Sequence, residues 1–411
     1  MPPSSVHAAT DLGVVAIFAI AYLGMFLGGL PRLKLDRAGV ALLGAIGVIG
    51  IGAVDTEEAA RSVDLPTILL LFAFMVVSAQ MRLGGFYTAV TRGVAARPLA
   101  PAGLLGALLA VAAALSAVFS NDIVCLAMTP VVARICLARG LPPIPFLVGL
   151  ACAANIGSAA TLIGNPQNML IGAVLRLDFA AYAARALPPV VLSLAVLWAM
   201  LAWRLRRAPA VPPAPTLPPD DAPAFDRWQT TKGLSVATAL LLVFLFTDWS
   251  REVAALVGAG VLLLSRRFHS SHVMGFIDWE LLVLFIGLFV VNHAFETTGL
   301  AAQAVGWLAA QGVHLNEPGP LFVAGLALSN LVSNVPATML LLPHLSGPES
   351  ATLLALVVTF AGNLLLVGSI ANLIVVDLAR KSGIEIGWRD HATIGVPATL
   401  ATLAIVWFWS T

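Results

Sequence analysis

Residues 115–130 read LSAVFSNDIVCLAMTP, and residues 328–343 read LSNLVSNVPATMLLLP. Laid over each other, they pair Ser120 with Ser333, Asn121 with Asn334 and Pro130 with Pro343 at one constant offset. Each lies in an apolar run interrupted at its Ser-Asn. About 11 apolar residues follow the first interruption before Arg134, and limbs of about 12 and 9 flank the second, all short of a ~30 Å bilayer core at ~1.5 Å per residue. The pattern predicts two re-entrant helical hairpins, at about 103–138 and 320–345.

The pairing extends outward from the hairpins. Arg37, Gly44 and Asp64 match Arg251, Gly258 and Asp278, and with a four-residue gap Asn155, Gly164 and Asn168 match Asn363, Gly368 and Asn372. The chain reads as two copies of one unit, 1–205 and 233–411, joined by a Pro- and Arg-containing linker at 206–232 that is too polar to lie in lipid. Each copy holds five transmembrane helices plus one hairpin. Because five is odd, the second copy sits inverted relative to the first. The expected fold is an all-α polytopic membrane protein with two inverted-topology repeats and discontinuous helices at the midplane, at about 145–176 and 350–378.

Composition agrees with this class. With 59% hydrophobic and 10% charged residues among 411, the chain is far from the roughly 25% charged residues of ordinary domains. At about 20 residues per crossing it holds on the order of ten to twelve spans, which leaves no room for an appended soluble domain. The net charge of +1 points to no nucleic acid. Cys125, Cys136 and Cys152 all lie in apolar runs and read as core residues rather than a disulfide framework. No basic region precedes the apolar run from Leu12 to Leu30, which reads as a retained span rather than a signal peptide.

Orientation follows from where the cations fall. Eighteen of the 22 Lys and Arg sort to one side of the predicted topology, leaving Arg61, Arg176, Arg185 and Arg251 on the other. Cytoplasmic loops collect such residues, so the expectation is an inner (cytoplasmic) membrane protein with both termini outside and the linker inside. Two full spans would return the chain to the same side as one hairpin. Charge does not separate these readings, and limb length is the criterion.

Irregular backbone at membrane depth survives only inside protein or along a cavity, because lipid supplies no hydrogen bonds. Four breaks therefore mark the site: Ser120-Asn121-Asp122, Ser333-Asn334-Val335-Pro336, Gly157-Ser158 through Gly164-Asn165-Pro166-Gln167-Asn168, and Gly362-Asn363 through Gly368-Ser369 to Asn372. At the tips, Ser, Asn or Asp is expected to cap the second limb, and Pro336 suits a first helical position. Helix C-terminal carbonyls suit a cation and N-terminal amides an anion. This is the plan of secondary transporters built from inverted repeats. The plainer reading is that Ser, Asn and Gly only let helices pack closely.

Asp122 stands apart. A carboxylate at that depth is costly unless paired, protonated or facing water, so it carries a proton, completes a cation site, or caps its helix. Val335 occupies the matching position, so the half-sites differ. A carboxylate there repels a dianion unless a proton or Na⁺ intervenes. His293 and Glu296 read as an interface pair near the exterior, and His269 with His272 lack the further ligands a metal site needs. No G-x-x-x-x-G-K-[ST] loop occurs, so ATP is not used on this chain, and a separate ATPase subunit is not expected.

At Ser120-Asn121-Asp122 with Thr129-Pro130, the run from Asn155 to Asn168, Ser333-Asn334 with Pro336, and Gly368-Ser369 with Asn372, the chain resembles the ion transporter superfamily. In particular it resembles the citrate-transporter-like branch, which takes in arsenite permeases, sodium/proton antiporters and divalent anion/sodium symporters. The resemblance implies Na⁺ or H⁺ as coupling ion, with no other cofactor. It implies cation sites at Ser120, Asn121, Asp122, Gly164 and Asn165 and at Ser333, Asn334, Gly368 and Ser369, with Na⁺ as the metal ion held there. It places substrate at Asn121, Asp122, Asn165, Asn168, Asn334, Thr338 and Asn372. A homodimer and an elevator motion of the hairpin-bearing part are further implications. The symporters carry Ser-Asn-Thr at each tip, and Asp122 and Val335 depart from it. The expected function is secondary transport of a small anion or oxyanion, carboxylate or arsenite-like. Cation/proton antiport through Asp122, and a channel or sensor without turnover, are the alternatives.

Overall fold

Long apolar runs punctuated by Asp, Pro and Gly become helices because, in lipid, only a helix satisfies its own backbone. The computed structural model describes residues 3–30, 33–207, 212–213, 223–265, 267, 269–345 and 347–410. Within the linker at 206–232, residues 208–211 and 214–222 lie outside the described residues, as do Arg32 and Arg266.

The first half runs α1 (Pro3–Leu27), α2 (Arg37–Gly50), α3 (Thr56–Ser62), α4 (Leu65–Leu83), α5 (Phe86–Ala95), α6 (Pro101–Val118), α7 (Asn121–Arg139), α8 (Pro143–Ser158), α9 (Pro166–Val174) and α10 (Phe179–Leu205). The second half runs α11 (Arg227–Phe246), α12 (Arg251–Leu263), α13 (Ser270–Met274), α14 (Trp279–Thr297), α15 (Leu300–Ala310), α16 (Pro318–Val332), α17 (Asn334–Leu341), α18 (Pro348–Ala361), α19 (Ile370–Lys381) and α20 (Trp388–Ser410). Short 3-10 turns cover Leu342–His344 and Leu366–Gly368. Among the described residues, eight helices are long and apolar enough to cross a membrane. Helix pairings come in exchanged twins: α2 packs on α14 as α12 does on α4, and α6 on α8 as α16 does on α18.

Aspartates set many of the starts. Asp36, Asp55, Asp64, Asp178, Asp226 and Asp278 each accept a backbone N–H at the N-terminus of their helix, a contribution of about 1 kcal/mol per cap. Asp64 and Asp278 do so identically, to Thr67 N and Leu281 N at 2.9 Å, which is the physical content of that matched pair.

Side-chain bonds between helix ends sort the molecule into two faces. Arg139 reaches Ala95 O, Arg204 reaches Thr393 O, and Lys232 reaches Leu262 O and Leu264 O. On the opposite face Arg251 reaches Gly172 O and Leu177 O, and Arg185 lies 3.9 Å from Glu349. The C-terminal end of the linker docks on the first face, where Asp226 N and Thr230 Oγ1 donate to Gly84 O. There the Gln229 N–H and the Arg267 guanidinium hold the Asp226 carboxyl below the usual carboxylate range.

Several expectations need correction. Limb length does not distinguish the first hairpin from two spans, because α6 and α7 have 18 and 19 residues, about 27 and 28 Å. Helix α7 runs on through Arg134 to a left-handed Gly140. What locates its tip is the partner it meets: Asn121 N donates to Gly164 O, in the break of the α8–α9 helix, at 3.2 Å. Helices α2 and α12 have only 14 and 13 residues, about 21 and 20 Å. Helices α5 and α15 were not foreseen; each starts at a left-handed glycine, Gly85 or Gly299. Neither Ser120 nor Ser333 caps its helix by side chain, and Pro336 is the third residue of α17, not the first. His293 pairs with Glu58 at 3.0 Å rather than with Glu296. The three cysteines are buried and free.

Close packing depends on glycine where α14 crosses α2. A Cβ on Gly287 would sit 2.6 Å from the Ala41 carbonyl carbon, whereas one on Gly306 in α15 would meet nothing. Gly287→Ala is expected to destabilise the protein by about 1–3 kcal/mol. Gly306→Ala should raise stability by roughly 0.5–1 kcal/mol. Both are measurable by thermal or denaturant unfolding in detergent.

Candidate functional site

Four helix interruptions converge on a cluster of buried neutral side chains. Asn155, near the end of α8, is the hub. Its Oδ1 accepts from Asn121 Nδ2 at 2.9 Å and from Ser369 Oγ at 3.2 Å, and its Nδ2 donates to Asn363 Oδ1 at 2.8 Å. The first hairpin tip, the first broken helix and the second broken helix thus meet on one amide. The chain of three amides ends in a free acceptor, Asn121 Oδ1, and a free donor, Asn363 Nδ2, both buried without a partner among the described residues.

A second set of bonds ties the breaks together. Asn165 Nδ2 donates to Ser158 Oγ at 2.8 Å, and Gln167 Nε2 donates to Thr359 Oγ1 of α18 at 3.0 Å. Asn165 Oδ1 caps α9 through Asn168 N at 2.9 Å, and Ser369 Oγ caps α19 through Ala371 N at 3.2 Å. These two predicted site residues, one from each break, cap by side chain, where the serines of the hairpin tips do not.

The other predicted residues divide by what they touch. Asn168 Nδ2 donates to Thr161 O and Tyr182 OH, and Asn372 Nδ2 to Gly362 O and Leu365 O. Both therefore clamp their own loops, leaving only an unpartnered Oδ1 each. Thr338 Oγ1 donates to Asn334 O at 2.8 Å within its own helix. Asn334 Oδ1 accepts from Ser329 Oγ at 2.6 Å. Ser333 holds the second tip at φ 84, a left-handed backbone that costs of order 1–3 kcal/mol for a non-glycine residue. Ser120 N points to Ser78 Oγ at 3.4 Å. Asp122 sits in the first turn of α7, half-buried, with no ion pair or hydrogen bond among the described residues.

The glycines belong to carbonyl-lined corners. A Cβ on Gly164 would land 2.2 Å from Ser158 O and 2.6 Å from Ser116 O. One on Gly368 would land 2.9 Å from Gly362 O and 3.3 Å from Asn330 Oδ1, an unpartnered buried acceptor. Corners of oxygen acceptors suit a hard cation.

Reading residues one at a time missed the hub itself. Asn155 and Asn363 mark the repeat, and the overlooked signal was their identity as a matched pair. Tyr182 and His391 were also missed. Each is the fourth residue of the last helix in its half, and each reaches a carbonyl freed at a break: Tyr182 OH to Ala159 O at 2.9 Å, His391 Nε2 to Asn363 O at 3.0 Å.

Comparison with known proteins agrees with this architecture. The family model described as "Citrate transporter" matches residues 17–361. The chain is 29% identical to the silicon efflux transporter LSI3 of Oryza sativa subsp. japonica, covering 96% of each. It is 30% identical to the inner membrane protein YbiR of Escherichia coli, covering 80% of this chain and 83% of that one. The crystal structure of the Alcanivorax borkumensis YdaH transporter superposes with a TM-score of 0.57 at 17% identity, covering 98% and 96% of the two chains.

The Tyr182/His391 relation is directly testable. His391→Tyr, which installs the residue found at the matching position, is expected to retain stability. His391→Leu leaves the buried Asn363 carbonyl without this donor and should cost about 1–3 kcal/mol, read as a lower unfolding midpoint.

Proposed function

This chain belongs to the citrate transporter family and is a polytopic membrane transporter, and from that premise we propose secondary active transport of a small oxyanion, or its undissociated oxyacid, coupled to Na⁺ or H⁺. The observation that carries this reading is the make-up of the site. Asn121, Asn155, Asn165, Gln167, Thr359, Asn363 and Ser369 are all buried and uncharged, and Asp122 beside Asn121 has no ion-pair partner among the described residues. No cation in that set balances a multivalent carboxylate, and Asp122 would repel one. A neutral or singly charged oxyacid is matched by amide donors and acceptors alone. The silicon efflux activity in the name of the rice relative is in keeping with such a substrate.

In this proposal the carbonyl corners at Gly164 and Gly368 hold the coupling cations, and Asp122 carries a proton or completes the first cation site. The two halves are inverted repeats, with the basic face in the cytoplasm, as the eighteen-to-four division of cations favours. The hairpins and broken helices move as one body against a dimerising scaffold of α2, α4, α12 and α14. Cation/proton antiport remains the second reading, favoured specifically by the unpaired Asp122.

Proteoliposomes loaded with arsenite, silicic acid or a monocarboxylate test the proposal: saturable flux that follows an imposed Na⁺ or pH gradient is expected. Linear flux indifferent to both gradients would remove it. Asp122→Asn is expected to abolish the gradient dependence, and retained dependence in that variant would move coupling elsewhere. Asn121→Ala and Asn334→Ala should each weaken substrate binding by roughly tenfold, as for a lost buried hydrogen bond.

A further inference from the structure

On the basic face, away from the amide hub, the start of α8, the end of α10 and the first turns of α20 enclose a recess of about 510 Å³. Its floor and one wall are the apolar turn Pro142-Pro143-Ile144-Pro145 and Ile394, and its rim carries Trp203, Arg204, Arg207 and Asp390. The two arginines have no carboxylate partner among the described residues. Arg204 Nη1 donates to the Thr393 carbonyl at 2.5 Å, and the Arg207 guanidinium lies 3.9 Å from the centre of the Trp203 ring. The acid on the rim is already engaged, since Asp390 Oδ2 accepts from Gly387 N at 2.8 Å.

The surroundings specify the depth and the kind of ligand. Trp203 and Trp388 are 54% and 57% exposed, and exposed tryptophans at the ends of membrane helices sit at the level of lipid headgroups. From Trp203 an exposed apolar stripe runs back along α10 through Ala199, Ala195, Leu192 and Pro188, at the three- and four-residue spacing that keeps side chains on one helix face. A cationic rim above an apolar track fits a molecule with an anionic head and a hydrocarbon tail.

We propose that this recess is a binding site for an anionic phospholipid, its phosphate held by Arg204 and Arg207 and one acyl chain lying along the α10 stripe. Two of its three walls lead directly to the transport site. Helix α8 begins at Pro143 in the recess and carries Asn155 near its other end, and His391, next to Asp390, bonds the Asn363 carbonyl. A lipid seated there braces both partners of the central Asn155–Asn363 bond.

The test uses the full-length protein in detergent, titrated with phosphatidylglycerol, phosphatidylcholine or inorganic phosphate, with lipid binding followed by native mass spectrometry and by unfolding midpoint. Phosphatidylglycerol is expected to bind and raise the midpoint, and the other two are not. Arg204→Gln with Arg207→Gln should weaken phosphatidylglycerol binding roughly thirtyfold, and Arg207→Gln alone, which keeps the Arg204–Thr393 bond, roughly fivefold, at about one surface-cation increment each. Arg97→Gln, on the same face outside the recess, should leave it unchanged. Wild-type binding in the Arg207→Gln variant overturns the proposal, as does equal weakening by Arg97→Gln. A midpoint raised as much by inorganic phosphate assigns the recess to free anions and overturns the lipid.

Discussion

A helix broken inside a membrane frees carbonyls and amides that lipid cannot satisfy, each at a cost of several kcal/mol. This chain breaks two helices and turns sharply at two Ser-Asn tips, and the side-chain amides of asparagine answer the resulting demand. Asn168 and Asn372 close the two loops, Asn165 caps a restarted helix, and Asn155 joins three of the four interruptions through three hydrogen bonds. An amide suits this because it donates and accepts at once without carrying charge. Removing one member leaves its neighbours buried and unpaired, so the cluster is mutually dependent in a way that a set of surface bonds is not.

The same cluster explains why the site has capacity left over. Asn121 Oδ1, Asn330 Oδ1 and Asn363 Nδ2 remain without partners among the described residues, at the places where helix ends face one another. The two halves are also unequal. Asp122 and Val335 occupy matching positions at the two tips, and Tyr182 and His391 matching positions in the last helix of each half. The 19-residue α7 matches an α17 of 8 residues whose tip is strained at Ser333. One half carries a carboxylate, Asp122, in the first turn after its tip, and the other carries the His391 ring bonded to the Asn363 carbonyl behind its break.

Much of this was legible before any coordinates. The Ser-Asn interruptions, the run through Gly164 to Asn168 and the run through Gly368 to Asn372 lie where helices stop, because a polar cluster in an apolar run has few other uses. Depth was not legible from limb length. Helix α7 tolerates Pro130 and continues past Arg134, a side chain long enough to carry its charge toward the membrane surface. Helices α5 and α15 were invisible because a short helix along a surface has no period long enough to stand out, although Gly85 and Gly299 at matching positions mark their starts. The direction in which Thr338 spends its hydroxyl is a rotamer choice that no spacing encodes.

The central claim is that the orphaned atoms around Asn155 hold the transported species. A cryo-electron microscopy map of the protein in nanodiscs, saturated with arsenite or another transported oxyacid identified by flux, tests it most directly. The account predicts non-protein density within hydrogen-bonding distance of Asn121 Oδ1 or Asn363 Nδ2. Substrate density confined to the cavity lined by Arg176, Trp249 and Arg251, with the amide cluster unchanged between substrate-free and saturated maps, would contradict it.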